Sequence, residues 1–310
     1  MKFIISIISA LFFLTSINAK EIKMGKADWD TGYFQAEIYK KALEKMGYKV
    51  SGPTVMKPQV FYVAAAAGDM DLWVNGWFDN HNTYVTEAMG KVKPVGYVVE
   101  KGGLQGYLID KKTADKFNIK SIMDIKKHAK EFDTNGDGKA DLVACHPGWG
   151  CEKIISKHFK ELGLGEFINP LKADYSASMA DIISRYKNGK SILFYTWTPN
   201  WTVGTLKLGK DVVWIEAPYS ETEEVKVPNA TKSKLNMGFG VNDIRAAVNV
   251  DFLKANPKVE KMLKKASIPL ADIAEQNLKM NAGEKSEKAI KKHAEDWIKA
   301  NQSTFDSWIN

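Results

Sequence analysis

The sequence predicts an α/β protein built as two lobes with a ligand cleft between them, and three observations carry that prediction. Strand-like and helix-like segments alternate along the chain, the signature of α/β architecture. The length of 310 residues is about twice the ~150-residue scale of a single domain. No internal repeat, low-complexity segment or long linker interrupts the pattern, so short crossings are expected to join the halves. These are placed near Gly106-Tyr107 and near Phe239-Gly240, where glycine meets apolar residues. The expected partition is a leader over 1–19, lobe I over 20–107 with 240–310, and lobe II over 108–239. In such sheets ligands bind at the loops that follow the strands.

The elements follow in order. Ile22 to Met24 is a short apolar-polar-apolar strand. Tyr33 to Met46 carries Phe34, Ile38, Ala42 and Met46 at helical spacing, with Gly47 placed to end it. Gln59 to Ala67 reads as a helix closed by Gly68, and Asp71 to Asn75 as a strand running into Gly76-Trp77. Ser121 is a candidate N-cap for a helix to Lys130. Leu142 to Cys145 is a strand and Glu152 to Leu162 a helix. Ser178 to Lys187 is a helix closed by Asn188-Gly189. Ser191 to Thr196 is a strand running into Trp197, and Val212 to Ile215 is another. Beyond Pro257 the chain is mostly helical, with lysines outward and Trp297 and Trp308 inward.

Composition narrows the function classes. Apolar residues make up 45% and charged residues 26%, which excludes a disordered chain. The net charge is +7, yet Arg185 and Arg245 are the only arginines. Nucleic-acid readers rely on the arginine fork, so the charge reads as a solvated lysine-rich surface and no nucleic-acid partner is expected. At the N-terminus, Lys2 precedes the apolar stretch Phe3 to Leu14, then Thr15, Ser16 and Ile17-Asn18-Ala19. That is a signal peptide with cleavage expected after about Ala19, too short to span a membrane. No cysteine follows it, so export without a lipid anchor is expected.

Two features stand out in the remainder. The first is Cys145-His146-Pro147-Gly148-Trp149-Gly150-Cys151. In an oxidising compartment a disulfide closing a tight loop is favoured; two buried free thiols or half of a metal site are the alternatives. So small a ring gains little chain entropy, and its use would be to shape the loop. The second is a set of tryptophans, Trp77, Trp149 and Trp197, each directly after a strand candidate or in the loop that follows one. An aromatic box of that kind suits a quaternary ammonium, which donates no hydrogen bond but is drawn to an indole face. Unconnected packing tryptophans would look the same at this level. Trp73 and Trp214, within strands, read as core.

Several strings then carry a resemblance. They are Gln105-Gly106-Tyr107-Leu108-Ile109-Asp110, Phe132-Asp133-Thr134-Asn135-Gly136-Asp137-Gly138-Lys139-Ala140-Asp141-Leu142, Pro147-Gly148-Trp149-Gly150-Cys151-Glu152 and Tyr195-Thr196-Trp197-Thr198-Pro199. Together they resemble the glycine betaine-binding periplasmic proteins of osmoprotectant ABC transporters, over essentially the whole chain after the leader. The resemblance implies a two-lobed, type II-like periplasmic binding protein, monomeric and without cofactor, that catalyses nothing. It implies glycine betaine, and proline betaine, as ligands delivered to an inner-membrane ABC permease and its ATPase. It implies a box of Trp77, Trp149 and Trp197, a carboxylate site of the Gly150 and Cys151 amides with His81, and a Cys145–Cys151 disulfide. From the residues alone, Gly150 and Cys151 precede a helix that starts at Glu152, a natural anion site. His81 alone reads as a surface histidine. Choline, trimethylamine N-oxide or a sulfonium osmolyte is the alternative ligand.

One further motif is weighed. Asp133, Asn135, Asp137 and Asp141 occupy positions 1, 3, 5 and 9 of a calcium-type loop with Gly138 at position 6. Ala144 stands where the bidentate Glu belongs, and a strand rather than a helix follows, so an Asx-rich turn without metal is expected. No G-x-S-x-G elbow, P-loop, G-x-G-x-x-G or H-E-x-x-H occurs. An exported hydrolase is the remaining enzyme alternative.

Overall fold

The computed structural model describes residues 21–310, so the leader lies outside the described residues. Eleven strands are present among them. They are β1 (Ile22–Ala27), β2 (Val50–Met56), β3 (Leu72–Trp77), β4 (Val92–Asp110), β5 (Ala140–Val143), β6 (Ile168–Leu171), β7 (Leu193–Thr198), β8 (Val212–Ile215), β9 (Glu224–Val225), β10 (Leu235–Asn236) and β11 (Asn242–Asn249). The main sheet runs β2-β1-β3-β11-β4-β7-β5-β6, with β8 also on β4.

β4 is the spine of this arrangement. Its first part lies antiparallel to β11, with Val92 opposite Asn249 and Gly103 opposite Asn242. From Leu104 it pairs instead with β7, and from Tyr107 also with β8. One strand thus belongs to both lobes, and the cleft opens across it. β1, β2 and β3 are mutually parallel, as are β5 with β6 and β5 with β7. The crossover helices Tyr33–Lys45, Pro58–Ala67, Gly150–Glu161 and Tyr175–Lys187 cover these strands.

Several sequence expectations need correction. β2 was hidden because Ser51-Gly52-Pro53 reads as a turn; it is a sheet-edge strand, where a proline costs no ladder bond that a partner needs. β4 was hidden by its four spaced glycines, and β11 by Asn242, Asp243 and Arg245 among its apolar residues. The helix expected over Ser121–Lys130 is two 3-10 turns, Ile122–Lys127 and Ala129–Glu131. Ser121 still caps the first, reciprocally with Asp124. The helix expected from Glu152 begins two residues earlier, at Gly150.

Trp73 and Trp214 lie in β3 and β8 and are fully buried. Trp297 and Trp308 pack 5.8 Å apart, Trp297 edge-on to Phe34 and Trp308 against Tyr39. The C-terminal helices Glu287–Ala300 and Gln302–Ile309 are thereby clamped to the helix Tyr33–Lys45. Trp297 also donates its indole N–H to Asp272 at 2.7 Å.

The segment that leads into β11 is held by His158. This fully buried imidazole donates from Nε2 to the Gly238 carbonyl at 2.7 Å, and its Nδ1 accepts the Tyr107 hydroxyl at 2.8 Å. Gly238 adopts φ +72°, and a Cβ there would stand 2.7 Å from the imidazole, so no other residue fits. Burial lowers the His158 pKa from 6.5 to about 4. No helix among the described residues is long and apolar enough to cross a membrane.

Two expectations follow. Trp297→Ala should lower stability by about 3 kcal/mol in urea denaturation, because it opens a large cavity and orphans Asp272. As for pH, the unfolded chain takes up a proton near 6.5 that folded His158 refuses until about 4. Stability is therefore full above pH 6.5 and falls as pH drops toward 4, by about 3 kcal/mol from this group. His158→Gln should make that slope shallower in urea midpoints measured from pH 7 to 4.5 without abolishing it, because buried His81 titrates in the same direction.

Candidate functional site

The cleft holds a small, partly open cavity, lined by residues that both lobes contribute. All six residues singled out for ligand contact line it: Trp77, His81, Trp149, Gly150, Cys151 and Trp197. Trp29, Asn80, Gln105 and Tyr195 line it as well, and sequence reasoning missed them. Trp29 could have been found, since it follows β1 as Trp77 ends β3.

Each side chain is set by the element that carries it. Trp77 is the last residue of β3, and His81 caps the helix Asn82–Glu87 that follows. Asn75, also in β3, accepts both the Trp77 indole N–H at 2.9 Å and the Trp29 indole N–H at 3.1 Å. One buried amide oxygen thus fixes two tryptophans by their edges. Trp149 is the N-cap of the helix Gly150–Glu161, and Trp197 lies in β7. Trp149 stands edge-on to Trp197 at 5.6 Å and 84°, and to Trp29 at 5.2 Å and 72°. Edge-to-face contacts of this kind make walls of different orientation and are stable arrangements of indoles.

Trp149 reaches across the cleft. Its indole N–H donates to the Asp28 carboxylate at 2.7 Å. Burial raises the Asp28 pKa, and the Trp149 bond opposes that rise. A carboxylate at the ring's edge adds its field to the attraction of the indole face for a cation. Lys57 donates to the Pro147 carbonyl at 3.1 Å, and the Lys153 ammonium sits 4.3 Å from the centre of the Tyr84 ring.

The other pole is built of donors. Gly150 and Cys151 are the first two residues of their helix, so their N–H groups have no acceptor within it. The Cys145–Cys151 disulfide is formed, with Cα atoms 5.9 Å apart, and ties the helix start to the exit of β5. A Cβ on Gly150 would stand 2.5 Å from the Asn80 carbonyl oxygen, so the two backbones touch across the cleft. His81 is buried rather than on the surface, because Tyr62, Trp29 and Tyr84 enclose it. Burial lowers its pKa from 6.5 to about 3, so the imidazole is neutral. The Tyr62 hydroxyl lies 3.2 Å from its Nδ1; with that hydroxyl donating, the ring hydrogen sits on Nε2.

The acidic loop has a different character. Asp133 accepts the amides of Asn135, Gly136 and Gly138, Asp137 accepts that of Lys139, and Asp141 accepts the amide and hydroxyl of Thr134. The bonds to Asn135 and Lys139 are Asx turns, and together these contacts hold the loop in shape. No cluster of three His, Cys, Asp or Glu side chains among the described residues is placed to hold a metal.

Comparison with known proteins places this geometry. Residues 20–300 match the family described as the substrate binding domain of ABC-type glycine betaine transport systems. The chain is 42% identical over 286 residues to the glycine betaine-binding periplasmic protein OusX of Dickeya dadantii, covering 89% of this chain and 85% of that protein. It is 42% identical over 285 residues to the glycine betaine/proline betaine-binding periplasmic protein of Escherichia coli K12, with the same coverage. The two-lobed fold is that of lactococcal OpuAC in its closed, glycine betaine-bound form, with a TM-score of 0.72 at 20% identity over 94% of this chain and 100% of that one. The chain belongs to the family of substrate-binding domains of ABC-type glycine betaine transport systems.

Proposed function

We propose that this protein binds glycine betaine, and proline betaine, and delivers it to an inner-membrane ABC permease driven by a partner ATPase. It works as a cofactor-free monomer in the periplasm, after cleavage near Ala19, and performs no chemistry on its ligand. Lobe I comprises 20–107 with 240–310 and lobe II 108–239, β4 being one crossing and Phe239-Gly240 the other. The observation that carries the reading is one cavity lined by tryptophans together with the free amides of a helix start.

The mechanism is a division of the zwitterion. Trp77, Trp149 and Trp197 surround the trimethylammonium group, each face supplying ~0.5–2 kcal/mol, more as water leaves. Gly150 and Cys151 donate their amides to the carboxylate, where the helix dipole adds to the attraction. His81 donates from Nε2 as a neutral group. Closure of the lobes joins the two poles, because each lobe carries part of both.

Two expectations test this. Trp77→Ala, Trp149→Ala and Trp197→Ala should each weaken glycine betaine binding about tenfold or more by calorimetry, with Trp→Phe milder because a ring face remains. Normal binding by all three would make them core residues. Choline presents a hydroxyl where betaine has a carboxylate, leaving buried amides poorly satisfied at ~1–3 kcal/mol. Wild type should therefore prefer glycine betaine to choline by at least about tenfold, and His81→Ala should narrow the gap. Equal affinities in competition titrations, or a preference for trimethylamine N-oxide, would remove the carboxylate site.

A further inference from the structure

Gln105 lies in β4 just beyond the point where that strand changes partners, is buried, and lines the cavity. Its Oε1 accepts two hydrogen bonds, from Asn80 Nδ2 at 2.8 Å and from the Tyr195 hydroxyl at 2.6 Å. The orientation of these amides is anchored on a backbone carbonyl. Asn242 donates its Nδ2 to Gly240 O at 2.9 Å and reaches Asn80 Oδ1 at 3.5 Å, which turns Asn80 Nδ2 toward Gln105. Oε1 is therefore fully used. Nε2 remains a buried donor with no hydrogen-bond partner among the described residues.

A buried N–H2 without an acceptor is costly, and folded proteins leave few of them. The helix amides that line this cavity are themselves donors, and Trp29, Trp77 and Trp149, whose N–H groups are spent on Asn75 and Asp28, offer no acceptor, so the acceptor has to arrive with the occupant. A trimethylammonium group has no lone pair to offer; a carboxylate has several. Asn80 also places Gln105 at the carboxylate pole, because the Asn80 carbonyl is the group pressed against Gly150.

We propose that Gln105 is a specificity-determining residue, its Nε2–H2 donating to the ligand's carboxylate beside the Gly150 and Cys151 amides. This rests on the betaine-binding reading above. It gives the site a side-chain donor, held by one residue from each lobe, that rejects ligands lacking an anionic end.

Gln105→Glu is the sharp test, because it keeps the oxygen that Asn80 and Tyr195 use and turns the remaining donor into an acceptor. Glycine betaine affinity should fall about 100-fold or more by calorimetry, whereas choline, whose hydroxyl can donate, should weaken less than about threefold. Gln105→Met, which carries no charge and guards against a Gln105→Glu folding defect, should cost betaine about tenfold and leave choline nearly unchanged. Ligand-free melting curves of both variants accompany the titrations. Equal losses for both ligands would make Gln105 a mere support for Asn80 and Tyr195, and unchanged betaine affinity would mean that water satisfies Nε2; either overturns the inference. Wild type that binds no betaine overturns the underlying reading as well, while a normal wild type with its betaine-to-choline ratio preserved in both variants overturns this inference alone.

Discussion

Two stretches of backbone meet where Gly150 faces the Asn80 carbonyl, and that contact governs the site. A methyl group at position 150 would overlap the carbonyl oxygen, so the closest approach of the lobes is set by a missing side chain. The same approach brings Trp149 onto Asp28 and Trp29, and Asn80 onto Gln105. Closeness matters energetically as well as sterically. An indole face and a helix amide do little in water, where solvent competes for both; enclosed, each becomes worth kilocalories.

The cavity is also balanced in charge. Its polar walls are neutral: amides and an imidazole that burial keeps unprotonated, beside indoles whose N–H groups are largely spent on Asn75 and Asp28. A charged histidine at this place would attract a carboxylate more strongly, yet it would repel the trimethylammonium group a few ångströms away. A neutral donor holds one pole without penalising the other. The carboxylate of Asp28 works from behind the Trp149 ring, strengthening the face toward a cation without taking a position in the cavity lining. On the proposed reading, an overall neutral ligand would be met by separate groups at its two ends.

Much of this was legible in the sequence, and the reasons are physical. Trp77, Trp149 and Trp197 were readable because aromatic residues at strand ends sit where α/β sheets expose their loops. Cys145 and Cys151 were readable from spacing and compartment. The helices declared themselves through 3.6-residue periodicity and glycine stops such as Gly68. What escaped were β4 and β11, whose glycines and polar residues obey bulges and close packing rather than alternation. Gln105 and Asn80 escaped for another reason. Their meaning lies in which of their atoms remain unpaired, and that depends on partners up to 162 positions away in the chain.

The continuity of β4 ties the evolution of the two lobes together. Upstream of Gly103 the strand is irregular against β11, but from Leu104 to Ile109 its register with β7 is unbroken, so side chains there alternate in one phase. Inserting or deleting a single residue beside Gly103 without a compensating bulge would invert everything downstream, turning Gln105 away from the cavity and exchanging the faces on which Tyr107 and Leu108 are packed. A loop between lobes would absorb such a change; this stretch would need a new bulge to do so. The stretch from Leu104 to Ile109 is therefore the part of the connection least able to change its residue count.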